Sequence, residues 1–417
     1  MPTESSPLSE APGVIITLSD IRALGSGGVT TRPQLHLGVQ RGGRTLSTEP
    51  SYGPPETEDE VRVSTLELFF DLVFVFTLTQ LTGLLAEESS IERVAQVALI
   101  FIVLFWMYGG YAWLTNRLAP NRSTRRLLLM LGMAGFLICA LAIPETFHDG
   151  GIAFGAGYLL VVLVHAGLYA QIFSMAVVMR FAPLNIVSAL SVIGAGFIDG
   201  APAYGLWALA VLIQFVTPSI AARVGARFDV RAAHFVERHG LLLIVALGES
   251  VVAIGVGLGH VPLETGVFFA AVLGLSLACA LWWTYFVVDA EHAERVMERA
   301  PPDRRFHLAI NAYFYAYIPI LVGVVATAAG VEESIGHVTE ALEAGPALAL
   351  GGGMALYLIG ALAFRRVVGL SPAGYRGVAA LVALATIPLG TTLSAAVQML
   401  ALVACMAVLL TAEARAA

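Results

Sequence analysis

The stretch from Ser64 to Leu81, STLELFFDLVFVFTLTQL, has the length and apolar character of a membrane-crossing helix, yet it carries Glu67 and Asp71 one helical turn apart. Glu67 has a local explanation. Ser64-Thr65-Leu66-Glu67 matches the capping box, in which the serine hydroxyl takes the amide of the fourth residue and that glutamate reaches back to the serine amide. A carboxylate in the first turn also suits the helix dipole. Asp71 lies about 6 Å further along the axis, beyond the free amides of the helix start, so the cap cannot account for it. Two readings stand for Asp71: a structural ion pair with an arginine such as Arg180 or Arg238, or a functional site. Gln80 projects from the opposite side of the same helix at 100° per residue, so this helix is expected to be enclosed by protein.

The rest of the chain places this helix among many others. Of 417 residues, 58% are hydrophobic and only 13% charged, a composition that fits a polytopic membrane protein. All 23 basic residues are arginine, which excludes a retinal Schiff base, a Walker-A lysine and any lysine general base. Cys139, Cys279 and Cys405 all lie in apolar runs, so neither a disulfide framework nor a thiolate metal site is expected. Nothing has the spacing of HExxH or CxxC. No metal, cofactor or nucleic-acid partner is expected.

Residues 1–60 are rich in Ser, Pro, Gly and scattered charge, the composition of a disordered tail. They contain no continuous apolar run of the kind a signal peptide needs, and a mis-assigned start would give the same appearance. From Leu66 onward, apolar runs of the length needed to cross a ~30 Å hydrocarbon core recur. We place twelve, near 66–85, 94–114, 126–144, 152–174, 184–199, 203–222, 240–258, 265–288, 308–330, 345–364, 376–390 and 392–411. In the last pair only Pro388, Leu389 and Gly390 interrupt one apolar stretch.

Arginine placement tests this count independently, because short arginine-rich loops stay in the cytoplasm. Alternate loops carry Arg117, Arg122, Arg125 and Arg126; Arg180; Arg223, Arg227, Arg231 and Arg238; Arg295, Arg299, Arg304 and Arg305; then Arg365, Arg366 and Arg376. The intervening loops hold only Arg93, among many acids. The expected fold is therefore an all-α polytopic bundle in the cell membrane, the lipid bilayer its solvent, with both termini cytoplasmic. Trp106-Met107-Tyr108 in the second span and Trp283-Thr284-Tyr285 in the eighth, with ALAIPETFH closing the third and ATAAGVEESIGH the ninth, repeat at about six spans. Two parallel halves, 61–231 and 232–417, follow from that even spacing.

RHGLLLIVALGESVVAIGVG, Arg238 to Gly257, contains the second outlier. Glu249 lies ten residues beyond His239, about 15 Å in and close to a bilayer midplane. A charge there costs on the order of 2.5–3.5 kcal/mol. Ala246 and Ala253 flank it on its own face and admit a neighbouring helix closely, and His165 in the fourth span is the partner its depth offers. The alternative is a protonated, hydrogen-bonded structural glutamate. Arg238 and His239 are candidates at the arginine-rich end of the same helix.

ELFFDLVFVFTLTQL together with HFVERHGLLLIVALGESVVAIG resembles the bacterial low temperature requirement A (LtrA) family of multi-pass membrane proteins. ALWWTYF and GVEESIGH fit the same pattern, and the resemblance runs from about Val61 to the C-terminus. Asn116-Arg117 is followed here by LAPNRSTRR, without the aspartate-rich turn the resemblance leads one to expect, and His165 stands where it implies an arginine. The resemblance implies a connection with growth in the cold and carries no catalytic residues. More loosely, Arg62 followed by Phe69-Phe70-Asp71 is similar to the R-x-x-x-F-S-D signature of endolysosomal potassium channels, with a longer spacing.

Taken together, these residues predict a transporter or channel-like protein for a small solute or ion, with Asp71 and Glu249 as protonation or cation sites. The alternative is an intramembrane enzyme acting on a lipid or isoprenoid, with Glu249 and His165 as acid and base. The topology is tested by reporter fusions after Arg126, Arg231 and Arg305. All three should report a cytoplasmic location, and one periplasmic signal would overturn the arrangement.

Overall fold

A computed structural model of the chain describes residues 63–118, 120–223, 230–259, 262 and 264–416. The expected N-terminal tail and Arg227 lie outside the described residues. Among the described residues no strand occurs. In order, the helices are α1 Thr65–Glu87, α2 Ile91–Arg117, α3 Ser123–Ala142, α4 Gly151–Tyr169, α5 Met175–Ala195, α6 Ala201–Arg223, α7 Ala232–Leu258, α8 Thr265–Phe286, α9 Asp289–Arg299, α10 Pro302–Ile310, α11 Tyr317–Gly336, α12 Ala344–Val368, α13 Gly374–Ala385, α14 Ile387–Thr392 and α15 Ala395–Ala416. A π-helical turn, Asn311–Tyr315, joins α10 to α11.

Eleven helical segments among the described residues are long and apolar enough to cross a membrane. The expected eleventh span is instead broken. Thr386 closes α13 by turning its hydroxyl back to the Ala383 carbonyl at 2.7 Å, and Pro388, in the first turn of α14, has no amide to continue the ladder. The interruption read at Pro388–Gly390 therefore lies inside a short helix, and the break comes just before it.

α1 begins as its sequence requires. The Glu67 amide reaches the Ser64 hydroxyl at 3.4 Å and the Ser64 amide donates to Glu67 Oε2 at 2.9 Å. This helix packs against α2, α3, α7 and α11, but Leu68, Phe69 and Leu72 in its first two turns stay exposed, so the expected enclosure by protein holds only in part. In the first half, α1 packs on α2 and α3, and successive contacts run from α3 through α4 and α5 to α6, which returns to α2. In the second half, α7 packs on α8 and α11, and contacts run from α11 through α12 and α13 to α15, which returns to α8. The neighbours follow one order twice, with α9, α10 and the short α14 inserted in the second set.

The closest crossings are made by glycine. Where α11 crosses α12, Gly323 and Gly330 of α11, seven residues apart, lie against Gly353 and Leu350, and Gly353 and Gly360 of α12, also seven apart, lie against Thr327 and Ile320. A Cβ at Gly323 would lie 2.5 Å from the Tyr357 amide nitrogen, and one at Gly353 would lie 2.6 Å from that of Thr327. At the matching crossing of α3 and α4, a Cβ on Gly135 or Gly157 would fall 3.1 or 3.0 Å from the other's carbonyl oxygen. In a bilayer, where helices gain little from burying apolar surface against each other, such backbone approach supplies the packing.

Gly353→Ala should destabilise the fold by about 1–3 kcal/mol, the usual cost of overpacking, because backbone and not a yielding side chain stands in the way. Gly83→Ala in α1, whose Cβ would meet nothing within 4 Å, should be neutral or slightly stabilising. Melting temperatures in detergent compare the two, and equal effects would refute the close-packing account.

Candidate functional site

The carboxylates of α1 meet α7 in a buried cluster. Glu67 and Asp71 lie one turn apart on the same face, and Arg238 enters from the second turn of α7 to lie between them. Its Nη1 is 2.9 Å from Glu67 Oε1 and its Nη2 3.1 Å from Asp71 Oδ1. Nη1 also donates to the Thr115 hydroxyl of α2. The guanidinium sits over the rings of Phe70 and Tyr108, 5.6 and 5.7 Å from their centroids, so its faces as well as its edge are engaged. Tyr108 donates its hydroxyl to Asp71 Oδ1 at 3.0 Å. Arg238 and Asp71 are each only 1% exposed.

His234 completes the cluster, and its tautomer follows from its neighbours. Asn116 Oδ1 accepts the Arg231 amide at 2.9 Å, and its Nδ2 lies 3.0 Å from the Arg231 carbonyl and 3.2 Å from His234 Nδ1. An amide nitrogen only donates, so His234 Nδ1 accepts. Nε2 then carries the proton that faces Glu67 Oε1 at 3.3 Å. In this arrangement one guanidinium serves two carboxylates. Among the described residues Asp71 Oδ2 and Arg238 Nε have no hydrogen-bond partner, leaving Asp71 with an open acceptor inside the protein.

The two readings of the α1 carboxylates therefore merge. Glu67 is both cap and ion-pair partner, and Asp71 pairs with Arg238, not Arg180. Tyr108, Thr115, Asn116 and His234 were not singled out as site residues. The only signal for Tyr108 was its place in the repeated Trp-x-Tyr motif, and Thr115 and Asn116, in the last turn of α2, read as interface decoration.

Glu249 occupies a different level of the same seam. It is 4% exposed and accepts a hydrogen bond from Thr79 of α1 at 2.7 Å. Ala246 and Ala253 beside it are fully enclosed, as its close-packed face requires. The expected pairing with His165 is not formed. His165 lies between Tyr111 and Tyr169, with ring centroids 5.4 and 5.6 Å away, in the wall of a cavity that Glu249 does not line. Depth along the membrane was the only basis for the pairing, and depth does not fix which neighbours a helix has. His239 also faces that cavity, while Arg238, one residue and 100° away, enters the ion cluster. Gln80 is half-buried and belongs to neither arrangement.

A second ion network ties α9, α12, α13 and α15 together. Asp289, at the start of α9, lies 2.8 Å from Arg365 and 2.6 Å from Arg376, while Glu413 of α15 lies 2.9 and 3.0 Å from the same arginines. Arg376 also donates to the Thr284 carbonyl at 2.8 Å. Here two cations meet two anions and the formal charges balance. Arg365 and Arg376 had served only as loop markers of topology, and their sequence gives no sign that they fold back into the bundle. No group of three or more His, Cys, Asp or Glu among the described residues could hold a metal ion.

An all-α bundle of apolar helices, holding one balanced and one unbalanced ion network between them, defines a multi-pass membrane protein. The chain belongs to the bacterial low temperature requirement A protein (LtrA) family, whose family model matches residues 62–411. It is 29% identical over 329 residues to an uncharacterized protein of Rhizobium meliloti (strain 1021), a match spanning 75% of this chain and 79% of that protein. No solved structure matches it.

Arg238→Met would leave two buried carboxylates without their cation, a loss of about 3–5 kcal/mol. It should sharply lower the melting temperature and folded yield. Replacing the whole set, Glu67→Gln with Asp71→Asn and Arg238→Met, should recover most of the loss. A triple variant no more stable than Arg238→Met alone would show that the cluster is not the source of the effect.

Proposed function

We propose that this protein moves a small solute or ion across the cell membrane, with both termini in the cytoplasm and with Asp71 and Glu249 as proton or cation stations on the α1–α7 seam. The single observation that carries this reading is the state of Glu249. It is buried, accepts one hydroxyl hydrogen bond, and among the described residues no arginine or histidine pairs with it. A carboxylate locked between cations, as Asp289 is between Arg365 and Arg376, is fixed in one charge state. One held by a threonine alone retains the capacity to take up and release a proton or cation, the usual role of such groups inside membranes.

The spacing of the carboxylates supports the same reading. Thr79, which holds Glu249, lies about 12 Å along α1 from Asp71, and Glu87 lies about 12 Å further on. Glu332 of α11, a helix that packs on both α1 and α7, is half-buried. Acidic groups thus recur near both ends and the middle of one seam. The repeated order of helix contacts fits halves 61–231 and 232–417 related by an axis along the membrane normal, with the seam between their first helices. The lipid-enzyme reading needs Glu249 and His165 as acid and base on one substrate, and their separate surroundings remove its geometric basis.

The test is proton movement into proteoliposomes containing the full-length protein and a pH-sensitive dye, driven by a potassium–valinomycin potential. The wild type should acidify or alkalise the lumen above the rate of empty liposomes. Glu249→Gln, which keeps shape and hydrogen bonding, should reduce that flux at least tenfold at unchanged melting temperature, and Glu249→Asp should retain part of it. Undiminished flux with Glu249→Gln would overturn the assignment.

A further inference from the structure

The cavity that holds His165 and His239 has no part in the carboxylate seam. It has a volume of about 150 Å³ and opens between α2, α4, α5, α6, α7 and the α10–α11 turn. Among the described residues no arginine, aspartate or glutamate lines it, and its walls are largely aromatic, including Trp106, Trp113, Phe181, Phe235 and Phe314. An apolar cavity of ~150 Å³ is large enough to take a benzene ring. A charged solute would be unpaired there, and the aromatic walls suit a neutral aromatic molecule.

The sequence keeps this space open. Within WMYGGYAW, Gly109 and Gly110 are adjacent in the middle of the 27-residue α2, although glycine is the poorest helix former after proline. A Cβ at Gly110 would lie 3.1 Å from His165 Nε2, so this glycine lets the imidazole rest against the α2 backbone. A Cβ at Gly109 would meet nothing within 4 Å. Both glycines line the cavity. Gly109 leaves volume that no neighbouring side chain uses.

His165, Thr217 and Tyr313 also bring polar atoms to the lining, and two further side chains, His239 and Asn185, give the cavity a direction. His239, 2% exposed, lies with Nδ1 2.8 Å from the Phe235 carbonyl. A carbonyl only accepts, so Nδ1 carries the proton and Nε2 of the neutral ring is an acceptor. Asn185 Oδ1 accepts the Trp106 indole N–H at 3.1 Å, which leaves its Nδ2 hydrogens to donate. His239 thus offers an acceptor and Asn185 a donor, the complement of a single hydroxyl group. We infer that this cavity is a binding site for a neutral, phenol-sized aromatic ring bearing one hydroxyl, held between the aromatic walls with its hydroxyl donating to His239 and accepting from Asn185.

The test uses full-length protein in lipid nanodiscs, titrated with 4-fluorophenol and followed by fluorine NMR, with empty nanodiscs correcting for partition into lipid. Saturable binding of one 4-fluorophenol per chain is expected, and fluorobenzene, the same ring without the donor, should bind roughly fivefold to tenfold more weakly. Gly109→Leu fills the open volume with a better helix former and should abolish saturable binding at unchanged melting temperature. Should that variant fail to fold, Ala166→Leu fills the cavity from α4. His239→Phe keeps the ring and removes the acceptor, so it should erase the preference for fluorophenol over fluorobenzene. Absence of a saturable component in the wild type would overturn the proposal. So would undiminished binding in a folded cavity-filling variant, or an intact preference in His239→Phe.

Discussion

A guanidinium sealed between two carboxylates inside a helical bundle constrains everything around it. Arg238 is 1% exposed, and removing such a charge from water costs several kcal/mol unless its partners stand in the right geometry. Those partners come from α1 through Glu67 and Asp71 and from α2 through Tyr108 and Thr115. The cluster therefore fixes the rotation of three helices at once, where α1 meets α7. Once α1 is set at this end, Thr79 can meet Glu249 only at the level the helical rise allows.

The two ion networks differ in a way that bears on function. Asp289, Arg365, Arg376 and Glu413 balance two charges against two and satisfy one another within 3.0 Å. Nothing about that set invites a further ion or proton. The Arg238 cluster has one guanidinium for two carboxylates and an unused acceptor on Asp71 Oδ2. A buried network with an unmet acceptor is costly as pure scaffold, and the proposed proton or cation step is placed on this cluster and not on the balanced one. The difference lies in stoichiometry, and stoichiometry is not visible from the helix periodicity that builds both.

What the sequence disclosed followed from properties that act locally. Hydrophobic length set the helices, the Ser64–Glu67 spacing set the start of α1, and the depth of Glu249 marked it as exceptional without reference to any neighbour. What it withheld depends on pairing between distant segments. His165 and Glu249 share a depth but not a neighbourhood, and Arg376 reads as a loop arginine until α13 is placed against α15. The break at Thr386 was half legible. Pro388 announced an interruption, but the position of the break depends on where the Thr386 hydroxyl finds a carbonyl, and the apolar pattern does not encode that choice.

Tyr108 connects the two regions that otherwise stand apart. Its hydroxyl holds Asp71, and its ring lies edge-on to His239 at 6.4 Å between centroids. α2 thus carries the ion cluster on one face and, through the adjacent Gly109 and Gly110, the floor of the aromatic cavity on the other. Packed interiors do not deform continuously. His239 lines the cavity, and Tyr108 touches both His239 and Asp71, while Arg238, the neighbour of His239 on α7, also pairs with Asp71. Tyr108 is thus one short physical route between the two regions. Substitution of Tyr108 by Phe would cut that route at the hydroxyl while leaving the aromatic packing in place.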